Sequence, residues 1–321
     1  MSRSRVGIVV IGRNEGERLG RCLRSSIGHA STVVYVDSGS VDGSPRLARE
    51  LGVDVVQLDM SRPFTAARAR NAGCRRLFKL DRDVEFVQFL DGDCELQGDW
   101  IGAAEKFMRR HPRLAVVCGR TRERHPDRSV FNQLCDWEWD TPVGEATSCG
   151  GNAMMRISAF RAMRGFRETL IAGEEPELCV RLRKAGWRIH RLDAEMVLHD
   201  AAMTRLAQWW RRTVRSGHAY AEGAWLHGAP PMRHWVRETW RALAFGIVVP
   251  VAVLLAALLV EPLALLLLAI YPLQIARLAL RLGSWRRAFF LVLARFPECW
   301  GVITFHARRL RGAGSVLIEY K

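Results

Sequence analysis

Val87–Trp100 reads VQFLDGDCELQGDW, an apolar run that stops in two aspartates, Asp91 and Asp93, with one glycine between them. Like charges at this spacing repel unless something positive lies between them. One reading is a turn, since Asp and Gly are common turn residues. The other is a divalent cation: hard oxygen ligands suit magnesium or manganese, which bridge carboxylates to substrate phosphates. Gly92 lets the backbone approach closely.

The run is one of several short β-branched stretches: VGIVVI (Val6–Ile11), TVVYVD (Thr32–Asp37), VDVVQL (Val53–Leu58), EFVQFLD (Glu85–Asp91) and LAVVCG (Leu114–Gly119). Helical patterns separate them at Glu15–Ile27, Ser44–Leu51, Thr65–Lys79 and Trp100–Arg110. Such alternation predicts an α/β fold, a doubly wound, mostly parallel sheet. Ligands in these sheets bind beyond the carboxyl ends of the strands. Asp37, Asp91 and the loop Gly12, Arg13, Asn14, Glu15 all fall at such an end. After a long connection with some helix, the spacing predicts a strand at Gly151–Met155, a helix at Glu177–Ala185 and a strand pair, WRIHRL and AEMVLH.

The chain has 321 residues, 49% of them hydrophobic, enough for one large domain plus an appendage. A net charge of +15 points to an anionic partner: nucleic acid, a membrane surface or a phosphate-bearing substrate. The basic residues concentrate beside apolar segments, which favours anionic membrane lipid over nucleic acid. None of the 8 cysteines forms a C-x-x-C pair, and they read as thiols in a reducing compartment. The apolar run after MSRSR is too short for a secretory signal, so the first domain is expected in the cytosol.

The tail changes composition. ALAFGIVVPVAVLLAALLV (Ala242–Val260) carries no charge and is long enough to cross a bilayer. Glu261-Pro262 interrupts, and LALLLLAIYPLQIARLAL follows. Arginines 233, 237 and 241 flank the first segment, and arginines 277, 281, 286 and 287 the second. This predicts a membrane hairpin over about 242–280 with both ends cytosolic, at an inner or plasma membrane; the alternative is a buried helical pair. AFFLVLARFPECWGVITFHA carries Arg295 and Glu298 and reads as an interfacial segment over about 285–310. The expected division is therefore 1–228 for the sheet domain and 229–321 for the membrane-associated helices.

The first turn, IGRNEGERLG, lacks both G-x-G-x-x-G and G-x-x-x-x-G-K-[ST], so neither of those phosphate cradles is supported. Asp37 could accept from a ribose or a base, or only cap a turn. In AGEEPELCVRLRKAGW, Pro176 and the carboxylates fit a helix start. They also put Glu174 or Glu175 in position to act as a general base. His199, after the last predicted strand, is either structural or a neutral nitrogen ligand of the same ion as Asp91 and Asp93. In QWWRR (Gln208–Arg212), Trp209 and Trp210 could stack on a sugar or enter the membrane interface, with Arg211 and Arg212 facing lipid headgroups.

These pieces in this order resemble the inverting glycosyltransferases of family 2, which have the GT-A fold. The resemblance runs from about Val6 to Glu222. VVIGRNEGERL is similar to the family's opening strand and loop. VDSGSVDGS resembles its D-x-x-S-x-D-G-[ST] nucleotide motif, with Asp37 at the base-binding position. ARARNAG is similar to [AS]-R-N-x-G, putting Arg70 near the nucleotide. FLDGDCEL matches the D-x-D metal motif, and GEEPELCVRLRKAGW resembles G-E-D-x-[DE]-L-x-x-R-[LA]. The resemblance implies a uridine or guanosine diphosphate sugar donor, Mg²⁺ or Mn²⁺, and inversion by direct displacement. It departs in one place: Glu175 stands where the family usually has aspartate as base. QWWRR differs in residue order from the Q-x-x-R-W of processive synthases. The tail points to a lipid-linked glycan or polysaccharide precursor as acceptor. The competing readings are a nucleotidyltransferase, which would want a glycine- and lysine-rich first loop, and a non-catalytic sugar-nucleotide-binding scaffold.

Overall fold

The computed structural model describes residues 5–312 and 318. The chain divides into two compact units, one ending at Ala202 and the other beginning at Met203.

The first unit holds strands β1 (Val6–Gly12), β2 (Thr32–Asp37), β3 (Asp54–Gln57), β4 (Phe86–Asp91), β5 (Cys94–Leu96), β6 (Leu114–Glu123), β7 (Gly144–Glu145), β8 (Ala153–Arg156) and β9 (Arg188–His199). Its helices are α1 (Glu17–Ser26), α2 (Ser44–Glu50), α3 (Ala66–Leu80), α4 (Trp100–Arg110), α5 (Val130–Trp139), α6 (Ile157–Ala162) and α7 (Glu174–Lys184). One sheet runs β3-β2-β1-β4-β8-β6-β9-β5, with β7 on β9. The β3-β2-β1-β4 part is parallel. Its central strands are buried on both faces, and for that reason they read as unbroken apolar runs. The register sets Gly12 opposite Asp37 and Ile11 opposite Asp91, so the strands end along one edge.

Helix α3 lies on that layer because two glycines let it. A Cβ on Gly73 would stand 2.3 Å from Val9 Cγ1, and one on Gly7 would stand 2.6 Å from Leu77. The buried Gln88 side chain is satisfied: it donates to Phe89 O (2.8 Å) and accepts from the Trp100 indole N–H (2.8 Å).

Two expected elements differ. The strand pair is a single twelve-residue strand, β9. Asp193-Ala194 has the composition of a turn, but register shifts against β6 absorb it. Gly119 leaves the room: a Cβ there would meet Ala194 O at 2.6 Å. The Glu177–Ala185 helix starts three residues earlier, at Glu174. Gly173, at φ 76°, forms the turn into it. Pro176 is still within the first turn, where backbone N–H groups have no helical partner to lose.

In the second unit, α8 (Leu206–His227) is followed by three apolar helical segments: Val236–Leu259, Pro262–Leu282 and Trp285–Leu310. All three are long and apolar enough to cross a membrane. The first two are 11% and 6% buried over their most apolar windows and the third 50%. The third packs on α8 backbone to backbone: Cβ atoms on Gly217 and Gly301 would each lie 2.0 Å from a carbonyl of the facing helix.

Candidate active site

Along the carboxyl edge of the parallel strands, the β1–α1 loop is clamped to the β2–α2 loop. The Asn14 amide oxygen accepts from Val41 N–H (2.8 Å), and Asn14 N–H donates to Ser40 Oγ (2.9 Å). Asn14 has φ 55°, a left-handed conformation that asparagine tolerates. Asp37 Oδ2 accepts from the backbone of Gly39 and Ser40, and Oδ1 from the buried Tyr35 hydroxyl (2.9 Å). Burial, and then Asp37, push the Tyr35 phenol upward. Arg13 stacks over Phe64 (4.6 Å), and Glu15 pairs with Arg18 (2.8 Å).

Arg70 is on the buried face of α3 and reaches two acids. It donates to Asp91 Oδ1 (2.7 Å) at the end of β4 and to Glu174 Oε1 (2.6 Å) at the start of α7. Burial opposes the guanidinium charge, but Asp91 and Glu174 outweigh it and raise the Arg70 pKa. The loop Cys149–Asn152 closes over this pair. Asn152 Oδ1 accepts Asp91 N–H (2.8 Å). A Cβ on Gly151 would stand 2.7 Å from Arg70 Nη2 and 3.1 Å from Asp91 Oδ2. Arg70 is buried and twice bound, so it has nowhere to retreat. Gly151→Ala is therefore expected to displace Asp91 and weaken nucleotide binding by about tenfold or more while the melting temperature changes little; calorimetry and a thermal melt check both.

Asp93 and His199 meet because β5 pairs antiparallel with β9, setting Cys94 opposite His199. His199 Nε2 is 3.5 Å from Asp93 Oδ1, and its ring packs at a tilt against Trp139 (4.5 Å between centroids). On the other side, Nδ1 lies 4.0 Å from Glu123 Oε2. Asp93, Cys94 and His199 each turn a donor atom inward, all within 4.8 Å of one another. The carboxylate–imidazole part of this set fits Mn²⁺ or a similar cation. Asp91 is outside this group, held by Arg70, with its side chain 32% exposed.

Glu175 takes a different direction from its neighbour Glu174. Its Oε1 accepts Cys149 N–H (2.6 Å) and the thiols of Cys149 and Cys179 (both 2.9 Å). Burial raises the Glu175 pKa above the ordinary carboxyl range, and these hydrogen bonds partly counter it.

The predicted residues thus form three groups: Asp93 with His199; Arg70 with Asp91 and Glu174; and Glu175 with two cysteines. Trp209, Trp210, Arg211 and Arg212 belong to α8 in the second unit. Trp209 is buried there against Phe290 (5.1 Å), which leaves Trp210 as the exposed ring of the two. Sequence reasoning missed Cys149, Gly151, Asn152 and Glu123. SCGGN sits inside the irregular connection, and a paired glycine was its only local signal.

The family model described as Glycosyl transferase family 2 matches residues 7–166, which hold the sheet edge, Arg70, Asp91 and Asp93. The chain belongs to glycosyltransferase family 2. This glycosyltransferase is 26% identical over 248 residues to the succinoglycan biosynthesis protein ExoA of Rhizobium meliloti, covering 71% of this chain and 74% of that one. It is 27% identical over 238 residues to a pre-mycofactocin glycosyltransferase of Mycobacterium tuberculosis, covering 69% of this chain and 48% of that protein. Among solved structures, a mannosyltransferase of Pyrobaculum calidifontis in complex with GDP-Man and Mn²⁺ superposes with a TM-score of 0.64 at 20% identity, covering 94% of this chain and 88% of that one. That likeness establishes the GT-A fold of the glycosyltransferase.

Proposed function

We propose that this glycosyltransferase moves a sugar from a nucleoside-diphosphate sugar to the hydroxyl of a lipid-linked glycan or polysaccharide precursor, with inversion, at the cytosolic face of a membrane. The observation that carries the reading is the convergence of Asp93, in the β4–β5 turn, and His199, at the end of β9, beside the Asp91–Arg70–Glu174 chain at the carboxyl edge.

Asp37 and the Gly12–Glu15 loop receive the nucleoside. Arg70 fixes Asp91 at the donor site and engages Glu174, which leaves Glu175 as the carboxylate available to take a proton. Asp93 and His199 would hold a divalent cation beside the Arg70-bound Asp91, and its contribution would be to neutralise charge on the departing diphosphate. Glu175 removes the proton from the acceptor hydroxyl as that oxygen attacks the anomeric carbon on the face opposite the diphosphate. The intact acidic set favours this reading over a non-catalytic scaffold. The mannosyltransferase solved with GDP-Man and Mn²⁺ makes a guanosine or uridine diphosphate sugar with manganese the first choice to test. Calorimetry against a panel of nucleoside diphosphates with Mn²⁺ is expected to pick out one base. Equal, weak binding of all of them would sink the assignment of Asp37 and its loop.

The membrane reading takes the first two apolar segments as a hairpin. The third is half-buried on α8 and carries the buried Arg295–Glu298 pair (2.7 Å), so it reads as protein-packed or interfacial. Two spans return the chain to its starting side. A reporter fused after Lys321 is expected to score as cytosolic, whereas an external score requires an odd number of spans.

A further inference from the structure

We propose that Cys149, Glu175 and Cys179 form a second cation site, selective for a soft divalent ion of the Zn²⁺ type, and that filling it withdraws Glu175 from catalysis. The ion-binding part stands on geometry alone; the catalytic consequence rests on Glu175 being the base.

The three donor atoms lie within 4.8 Å of one another. Cys149 Sγ and Cys179 Sγ are 3.9 Å apart. Two Zn–S bonds of about 2.3 Å at a tetrahedral angle span about 3.8 Å, so the sulfurs already stand at the separation a zinc ion needs. Each thiol is 2.9 Å from the same oxygen, Glu175 Oε1. Both S–H bonds therefore point at that one oxygen, and an ion seated among the three donors replaces two protons. The balance is simple: Zn²⁺ enters, one proton leaves each thiol for solvent, and two thiolates and one carboxylate bind the ion with water in the fourth position. Oxygen-seeking Mg²⁺ or Mn²⁺ gains nothing from sulfur ligands, which separates this site from Asp93 and His199.

Position supports entry as well as binding. Cys179 sits one turn along α7 from Glu175, on the same helix face, and is fully buried. Cys149 is the partly exposed member, on the glycine-flanked loop that also covers Asp91, so it opens the path. Burial pushes the Cys179 thiol up to about 12 and Cys149 well above its ordinary range. Protonated thiols resist oxidants, whereas a bound metal deprotonates them outright.

The test uses the full chain in detergent, with Co²⁺ alone as the spectroscopic probe and Zn²⁺ alone for affinity. Wild type is expected to develop a thiolate-to-cobalt charge-transfer band at one equivalent, bleached by Zn²⁺. Cys149→Ser and Cys179→Ser should each weaken binding by more than the roughly 10–100-fold cost of losing a group that only orients a ligand. Cys94→Ser, at the other cluster, should keep the band. Zinc K-edge absorption on wild type needs no variant, and should give two sulfur scatterers at about 2.3 Å. No band, a band surviving in both serine variants, or only nitrogen and oxygen scatterers would overturn the site. Zn²⁺ should also lower transfer towards the rate of Glu175→Gln. A full band with unimpaired transfer supports the site and counts against Glu175 as base. A missing band overturns the site and leaves the role of Glu175 to the Glu175→Gln rate itself.

Discussion

Asp93→Ala is expected to abolish sugar transfer, lowering kcat by at least about 10³-fold, since stabilisation of a departing charge is worth several kcal/mol and each 1.36 kcal/mol is tenfold. Asp93 is almost wholly buried, and its Oδ1 lies 3.5 Å from His199 Nε2. The variant should lose the rise in melting temperature that Mn²⁺ with nucleoside diphosphate gives the wild type. A merely structural Asp93 predicts the reverse: a lower melting temperature with the Mn²⁺ effect intact. Near wild-type transfer by Asp93→Ala in excess chelator would remove the metal from the mechanism.

The parts of the fold that could be read from sequence are those whose environment is uniform. Strands β1, β2 and β4 are buried on both faces, so their composition alone marks them. Helix α4 shows its apolar face at helical spacing and starts and stops where expected, at Trp100 and Arg110. What could not be read depends on contacts between distant residues. Asp193-Ala194 has the local character of a turn, and only Gly119 on the neighbouring strand lets the backbone run straight through. Strand β5 has three residues, too few for any period, although its pairing with β9 is what sets His199 beside Asp93. At the site, motif spacing identified Arg70, Asp91 and Glu174 one by one. That one guanidinium joins two of these acids follows from α3 lying across the strand ends. The cysteines gave no spacing signal because Cys149 and Cys179 are on a loop and a helix, brought together by Glu175.

Glu175→Gln is the second large effect expected, and it separates two neighbouring carboxylates. Glu174 is committed to Arg70 at 2.6 Å, inside a buried ion pair. Glu175 instead accepts from the Cys149 N–H and from two thiols, and burial raises its proton affinity. A carboxylate with a raised pKa is a better proton acceptor at neutral pH than an ordinary one, provided it stays ionised. Positioned general-base catalysis is typically worth about 10²–10⁴-fold. Glutamine keeps the shape and one acceptor oxygen for the Cys149 N–H, but takes no proton. Transfer should fall by about that factor while nucleoside diphosphate binding with Mn²⁺ stays within about twofold of wild type. Glu174→Gln should behave differently: it leaves Arg70 paired with Asp91 alone and loosens the guanidinium that positions that aspartate, so donor binding weakens along with the rate. The discriminating measurement is thus the ratio of the two losses. A pure rate loss at 175 with a mixed loss at 174 assigns the base to Glu175. A pure rate loss at 174 moves it one residue back, and loss of nucleotide binding at 175 makes that carboxylate a support for the Cys149–Asn152 loop.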